Sequence, residues 1–304
     1  MHVATTLPST EVGSGSRSDP DPPLLPLGSV VAGTYELRGL LGSGGMAQVF
    51  DAHDAKLDRR VAVKVARLAS TAALHAEGKA LAAVTHSSVV GVFHSGVHEG
   101  YDYLVLERIA GPTLRTHLDQ WLGQNRPLPI RMIVAYARGM AEALAVVHQA
   151  GLAHRDLKPD NVMLSRGERI VLTDFGLTRA ERTRGEDPMS GTPSYMAPEL
   201  ITGTIQRGAG YLVDLYALGV VVFEMIVGRT PFEGGESLNT LRAHVFDPPP
   251  DPRALRADVP EPLGRLVLDL LAKEPARRPN SAEGVALSLR RCVVTRQGMP
   301  VADP

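Results

Sequence analysis

The eight residues His154-Arg155-Asp156-Leu157-Lys158-Pro159-Asp160-Asn161 crowd polar chemistry into one short stretch between apolar segments. A carboxylate such as Asp156 can accept a proton from a substrate hydroxyl. Lys158 can neutralise charge on a transferring phosphoryl group, and Asn161 offers an oxygen ligand for Mg²⁺. Further on comes Leu172-Thr173-Asp174-Phe175-Gly176. A carboxylate at a strand end, flanked by Phe and Gly, suits a hard Mg²⁺ ligand on a hinge, although the same letters also spell a plain Asp-x-Gly turn.

Two earlier segments complete the set. Lys64, in Val61-Ala62-Val63-Lys64, interrupts an otherwise apolar strand. It reads either as a snorkelling surface lysine or as a compact point charge for phosphate oxygens. Only five of the 32 basic residues are lysines, which favours a specific use here. Such a lysine needs a carboxylate to hold it, and Glu77 on the following helix can serve. Gly42-Ser43-Gly44-Gly45-Met46-Ala47-Gln48-Val49 lies between two strands. Its backbone N–H groups can approach phosphates, but alone it is equally a glycine-rich hairpin.

These groups must be positioned by the elements around them. Strands are expected at Tyr35–Leu41, Gln48–Ala52, Arg60–Ala66, Val89–Val97 and Tyr101–Glu107, with a helix at Thr71–Val84. Ile133, Ala137, Met140, Leu144 and Val147 recur at helical spacing, and Gly151 stands where that helix should stop. Tyr211–Val227 predicts a buried apolar helix, and Leu263, Leu266, Val267, Leu270 and Leu271 mark another. Ser281–Arg291 predicts a last helix with Ser281 as its cap. The fold class is therefore α+β, a small antiparallel β-rich lobe (33–108) with one main helix, then a larger helical lobe (109–292). Residues 1–32, with Pro20, Pro22, Pro23 and Pro26, read as a disordered leader, and 293–304 as a loose tail.

Together and in this order, the motifs resemble the signature set of Hanks-type protein kinases, over residues 35–291. The Gly-Gly-Met stretch and the Asp-Leu-Lys-Pro-Asp-Asn loop are most similar to the bacterial eukaryotic-like serine/threonine branch. The resemblance implies a two-lobed kinase fold and transfer of the γ-phosphoryl of ATP to protein Ser/Thr hydroxyls, with Mg²⁺ (or Mn²⁺) as cofactor. It implies a nucleotide site of Gly42, Ser43, Gly44, Gly45, Val49, Ala62, Lys64, Glu77, Glu107 and Ile109, with Leu106 as gatekeeper. Asp156, Lys158 and Asn161 match the catalytic loop, and Asn161 and Asp174 the metal ligands. Asp214 matches a buried aspartate that steadies that loop. Arg278 is similar to the arginine that pairs with Glu199 of Met196-Ala197-Pro198-Glu199. Thr192, in Gly191-Thr192-Pro193-Ser194-Tyr195, would bond near Asp156 and Lys158.

Three departures stand out. Ala47 replaces a third glycine, Ser87-Ser88 follow His86 where Pro-Asn is usual, and only 13 positions separate Lys64 from Glu77. The last makes the strand-to-helix connection short. Arg155 is expected to read a phosphate on Thr178, Thr183 or Ser190. The alternative to an active kinase is an ATP-binding pseudokinase scaffold.

Composition narrows the rest. A net charge of −1 gives no bulk attraction to nucleic acid or anionic membrane. The single cysteine, Cys292, cannot form an internal disulfide, which fits a reducing cytoplasm. No apolar run reaches the ~20 residues of a membrane span, and residues 1–30 lack a signal-peptide pattern. Expected partners are protein substrates and ATP, with a transient dimer for autophosphorylation. With no sensor domain or anchor read in the sequence, input is expected through the leader, the tail or a partner.

Overall fold

The computed structural model describes residues 22–67, 70–165, 169–175, 193–233 and 237–292. An antiparallel six-stranded sheet, in the order β1-β2-β3-β4-β6-β5, forms the first lobe. Its strands are β1 Val30–Val31, β2 Tyr35–Ser43, β3 Ala47–Asp54, β4 Arg59–Ala66, β5 Val92–His98 and β6 Tyr101–Glu107. One helix, α1 (Thr71–Ala82), follows β4.

Strand β4 shows how the sheet is used on both sides. Val61, Val63 and Val65 join Leu25, Val31, Leu37, Phe50 and Tyr103 in an outer apolar cluster. Ala62 and Ala66 join the inner core with Leu74, Leu104 and Leu106, and Lys64 projects between them on that face.

The second lobe is built on α2 (Leu114–Gly123), α3 (Ile130–Gln149), α5 (Tyr211–Val227), α6 (Ser237–Phe246), α8 (Glu261–Leu270) and α9 (Ala282–Arg291), with short turns α4 (Pro198–Ile201) and α7 (Pro252–Leu255). Helix α5 is apolar on every side and is buried continuously from Val213 to Ile226, between α3 and α8. No helix among the described residues is long and apolar enough to cross a membrane. A small antiparallel pair, β7 (Val162–Ser165) and β8 (Arg169–Leu172), brings the catalytic-loop and metal-loop residues together at one end, where Val162 lies opposite Leu172.

Most expected elements are present, and the differences have causes. Residues 22–32 are not a free leader: Leu25 and Val31 are fully buried and β1 pairs with β2, because the outer face of the sheet needs an apolar cover. Residues 1–21 and the tail 293–304 lie outside the described residues. The strand expected from Val89 starts at Val92, since the segment before it pairs instead with β8: the Val90 N–H donates to the Leu172 carbonyl and the Leu172 N–H to the Ser88 carbonyl. Helix α3 stops as expected before Gly151, which takes φ +73°. Ser281 caps α9 through a 3.1 Å bond from the Gly284 N–H to its Oγ. Helices α2 and α6 were not anticipated. Thr113 caps α2 and Leu114, Leu118 and Trp121 recur at helical spacing, but α6 leaves Leu238 and Phe246 exposed and so lacks a clean apolar stripe.

Candidate functional site

Between the lobes lies a cleft of about 1210 Å³. Gly42, Ser43, Gly44, Gly45 and Val49 form its roof, Lys64 and Glu77 its back, and Asp156, Lys158, Asn161 and Asp174 its floor.

The short β4–α1 connection does not separate its partners. Lys64 Nζ lies 2.6 and 2.8 Å from the two Glu77 oxygens and 2.7 Å from Asp174 Oδ1. One ammonium thus bridges the helix of the first lobe to the metal loop of the second. Burial works against charge on Lys64, but Asp174 and Glu77 overcome it and hold its pKa above the usual lysine value. Burial pushes the Glu77 carboxyl up, against the pull of Lys64. Burial would also raise Asp174, yet Lys64 brings it below the usual carboxylate range. Asp174 keeps 41% of its side-chain surface open to the cleft, so an ionised carboxylate faces any cation that enters.

On the floor, Asp156 Oδ2 accepts bonds from Lys158 Nζ at 3.0 Å and Asn161 Nδ2 at 3.1 Å. The Asn161 amide nitrogen also reaches the Asp156 carbonyl at 2.9 Å, which leaves its oxygen as the atom to offer a cation. Arg155 (φ +62°) and Asp174 (φ +54°) are non-glycine residues in the left-handed region, a strained conformation held by their surroundings. Asp214, fully buried in α5, accepts the N–H groups of His154 (2.8 Å) and Arg155 (2.7 Å) and pairs with His148 at 2.8 Å. The His154 ring meets the Thr173 carbonyl at 2.9 Å and lies 4.6 Å from the Phe175 ring, tying the two loops together. Burial lowers its pKa, so the imidazole is neutral at neutral pH.

Behind the floor, Arg278 grips both oxygens of Glu199 at 2.6 and 2.8 Å, as the resemblance implied. Ala62 and Ile109 are buried in the inner core, and the Glu107 carboxylate is taken by Arg169 at 3.1 Å. Gly176, Thr178, Thr183, Ser190 and Thr192 lie outside the described residues.

The site contains a network that motif reading missed. Arg115 of α2 donates to the Tyr195 hydroxyl at 2.6 Å and pairs with Glu224 at 2.9 Å, and Tyr195 donates to Glu224 at 2.7 Å. The available signal was Glu224 itself, an acid inside an apolar helix that must find a cation.

The donor set fits Mg²⁺ held jointly with a phosphorylated nucleotide. Mg²⁺ takes oxygen ligands, and one or two protein groups suffice when phosphates supply the rest. Asp174 and Asn161 match that need, and no cluster of three or more His, Cys, Asp or Glu forms a metal cage among the described residues.

A β-rich lobe and a helical lobe joined across a cleft by a Lys–Glu–Asp bridge constitute the protein kinase fold. The chain belongs to the protein kinase family: the protein kinase domain model matches residues 35–288. Its relatives are bacterial serine/threonine-protein kinases. It is 34% identical to PksC of Streptomyces coelicolor, over 90% of this chain and 51% of that protein. It is 38% identical to the DNA damage-responsive kinase RqkA of Deinococcus radiodurans, over 87% of this chain and 40% of that protein. The chain therefore spans about half or less of the length of these curated relatives. Among solved structures, the kinase domain of Mycobacterium tuberculosis PknI superposes with a TM-score of 0.69 at 26% identity, covering 88% of this chain and 98% of that one.

Proposed function

We propose that this chain transfers the γ-phosphoryl of Mg-ATP to serine and threonine hydroxyls of proteins. The carrying observation is Lys64 held at 2.7 Å from Asp174 and 2.6 Å from Glu77, the bridge such transfer needs. In this reading the Gly42–Gly45 backbone and Lys64 hold the nucleotide phosphates, and Asp174 and Asn161 hold Mg²⁺ or Mn²⁺. The metal, when bound, neutralises phosphate charge. Asp156 orients the incoming hydroxyl and takes its proton, while Lys158 steadies developing negative charge. Ala62, Glu107 and Ile109 contribute where the lobes join.

A pseudokinase scaffold is the competing reading, but Asp156, Lys158, Asn161 and Asp174 all converge on the same floor. Among the described residues, Arg155 Nε is buried without a hydrogen-bond partner, which suits a cation that meets a phosphate on Thr178, Thr183 or Ser190. Autophosphorylation through a transient dimer and a cytoplasmic setting complete the proposal.

The test is transfer from radiolabelled Mg-ATP to the chain itself and to a generic basic protein, beside Asp156→Asn. Label mapped to Ser/Thr, falling roughly 10²–10⁴-fold in the variant, is the expected result. Tight ATP binding with no label would establish the scaffold instead.

A further inference from the structure

Strand β3 carries a polar residue where its pattern calls for an apolar one. Its alternate positions Gln48, Phe50 and Ala52 are buried; Phe50 and Ala52 belong to the outer cluster, while Val49, between Gln48 and Phe50, lines the cleft. Gln48 is fully buried beside that cluster. A buried amide costs stability unless its groups are bonded, and a leucine would fill the same face without that cost.

All three of its bonds are directional. Gln48 Oε1 accepts the Leu24 N–H at 2.6 Å, and Nε2 donates to the Pro22 carbonyl at 3.1 Å and to Ser43 Oγ at 3.2 Å. Two partners belong to the segment that covers the outer sheet face, anchored by fully buried Leu25. The third, Ser43, lies in the glycine-rich roof of the cleft and pairs across the strands with Gln48. The backbone of that roof is also held by the β2–β3 pairing, by a Gly44 N–H bond to the Ala47 carbonyl at 2.9 Å and by Arg67 Nε on the Gly44 carbonyl at 3.2 Å, so Ser43 is its side-chain link to the outer segment.

We infer that Gln48 is a positioning residue that ties residues 22–25 to the glycine-rich loop and so sets the affinity for Mg-ATP. The inference rests on the kinase reading of the cleft. Residues 22–25 hold the amide, the amide holds Ser43, and Ser43 fixes the height of the backbone N–H groups above the phosphates.

The test uses the full chain with Gln48→Leu, Ser43→Ala, the double variant, and Ser43→Thr, which keeps the hydroxyl. The measurements are KM for Mg-ATP, kcat, direct Mg-ATP binding and the thermal midpoint. Gln48→Leu should raise KM and Kd about three- to tenfold, the equivalent of one net hydrogen bond, with kcat within about twofold. Ser43→Ala should match it, the double variant should be no worse than either single one, and Ser43→Thr, which restores the hydroxyl, should raise KM less than Ser43→Ala does. A lowered thermal midpoint with KM and Kd unmoved would make Gln48 only a clamp on the outer face and overturn the inference. Additive KM rises in the double variant would overturn it as well. Failure of the wild type to transfer phosphate would remove the kinase reading, whereas normal transfer with an unmoved KM removes the Gln48 role alone.

Discussion

Breaking the Glu199–Arg278 pair should come close to unfolding the domain. Arg278 has a fully buried side chain and Glu199 is 7% exposed. The guanidinium makes five bonds: two to Glu199, and one each to the carbonyls of Ala272, Leu212 and Lys273. Glu199→Gln removes the charge and sets an amide N–H₂ against the guanidinium, so one charge-assisted bond of ~1.5–3 kcal/mol is lost and a buried cation is left unpaired. Loss of one partner of such a pair costs about 3–5 kcal/mol. That is a large share of the roughly 5–15 kcal/mol that holds a domain folded. For a domain of this size it corresponds to a midpoint lower by roughly 6–20 °C. Arg278→Met strands the carboxylate instead and should cost a similar amount. The double variant removes both charges, so the cost of a stranded buried charge disappears and its loss should be smaller than the sum of the two single losses. Urea unfolding of the four proteins measures this cycle. Single losses below about 1 kcal/mol, or a double loss equal to the sum of the singles, would show that the pair is not coupled and refute the reasoning.

Two further outcomes follow from the site and its supports. Lys64→Arg should lower kcat/KM for Mg-ATP on the order of 100-fold, because a planar fork cannot sit between Glu77 and Asp174 as a point charge does; steady-state kinetics within threefold of wild type would count against the bridge. Burial, helped by Lys273, pushes the His244 pKa down to about 3, in a pocket also lined by Tyr216 and Phe232. The unfolded chain takes up that proton near 6.5 and the folded one does not, so stability should fall as pH drops from about 6.5 toward 3, by up to ~1.4 kcal/mol per unit. Urea midpoints for wild type and His244→Gln across that range should show the variant with a slope shallower by one proton, and equal slopes would reject the assignment.

What could be read from residue order was whatever depends on local periodicity or on a contiguous motif. The alternation of β4, the all-round apolar character of α5 and the Ser281 cap announce themselves because neighbours along the chain decide them. Asp156, Lys158 and Asn161 fall within six consecutive positions, so their clustering follows from one turn of backbone. The pairs between residues far apart in the chain are different in kind. Lys64 and Asp174 are 110 positions apart and Arg278 and Glu199 are 79 apart, so only packing brings them within bonding distance. The same holds for Arg115, Tyr195 and Glu224, which no motif joins, and for residues 22–32, whose prolines suggest disorder until the outer face of the sheet supplies the apolar surface that Leu25 and Val31 cover. Periodicity is a property of the chain, but the partner of a buried charge is chosen by the tertiary structure, because desolvation makes an unpaired one too costly to keep.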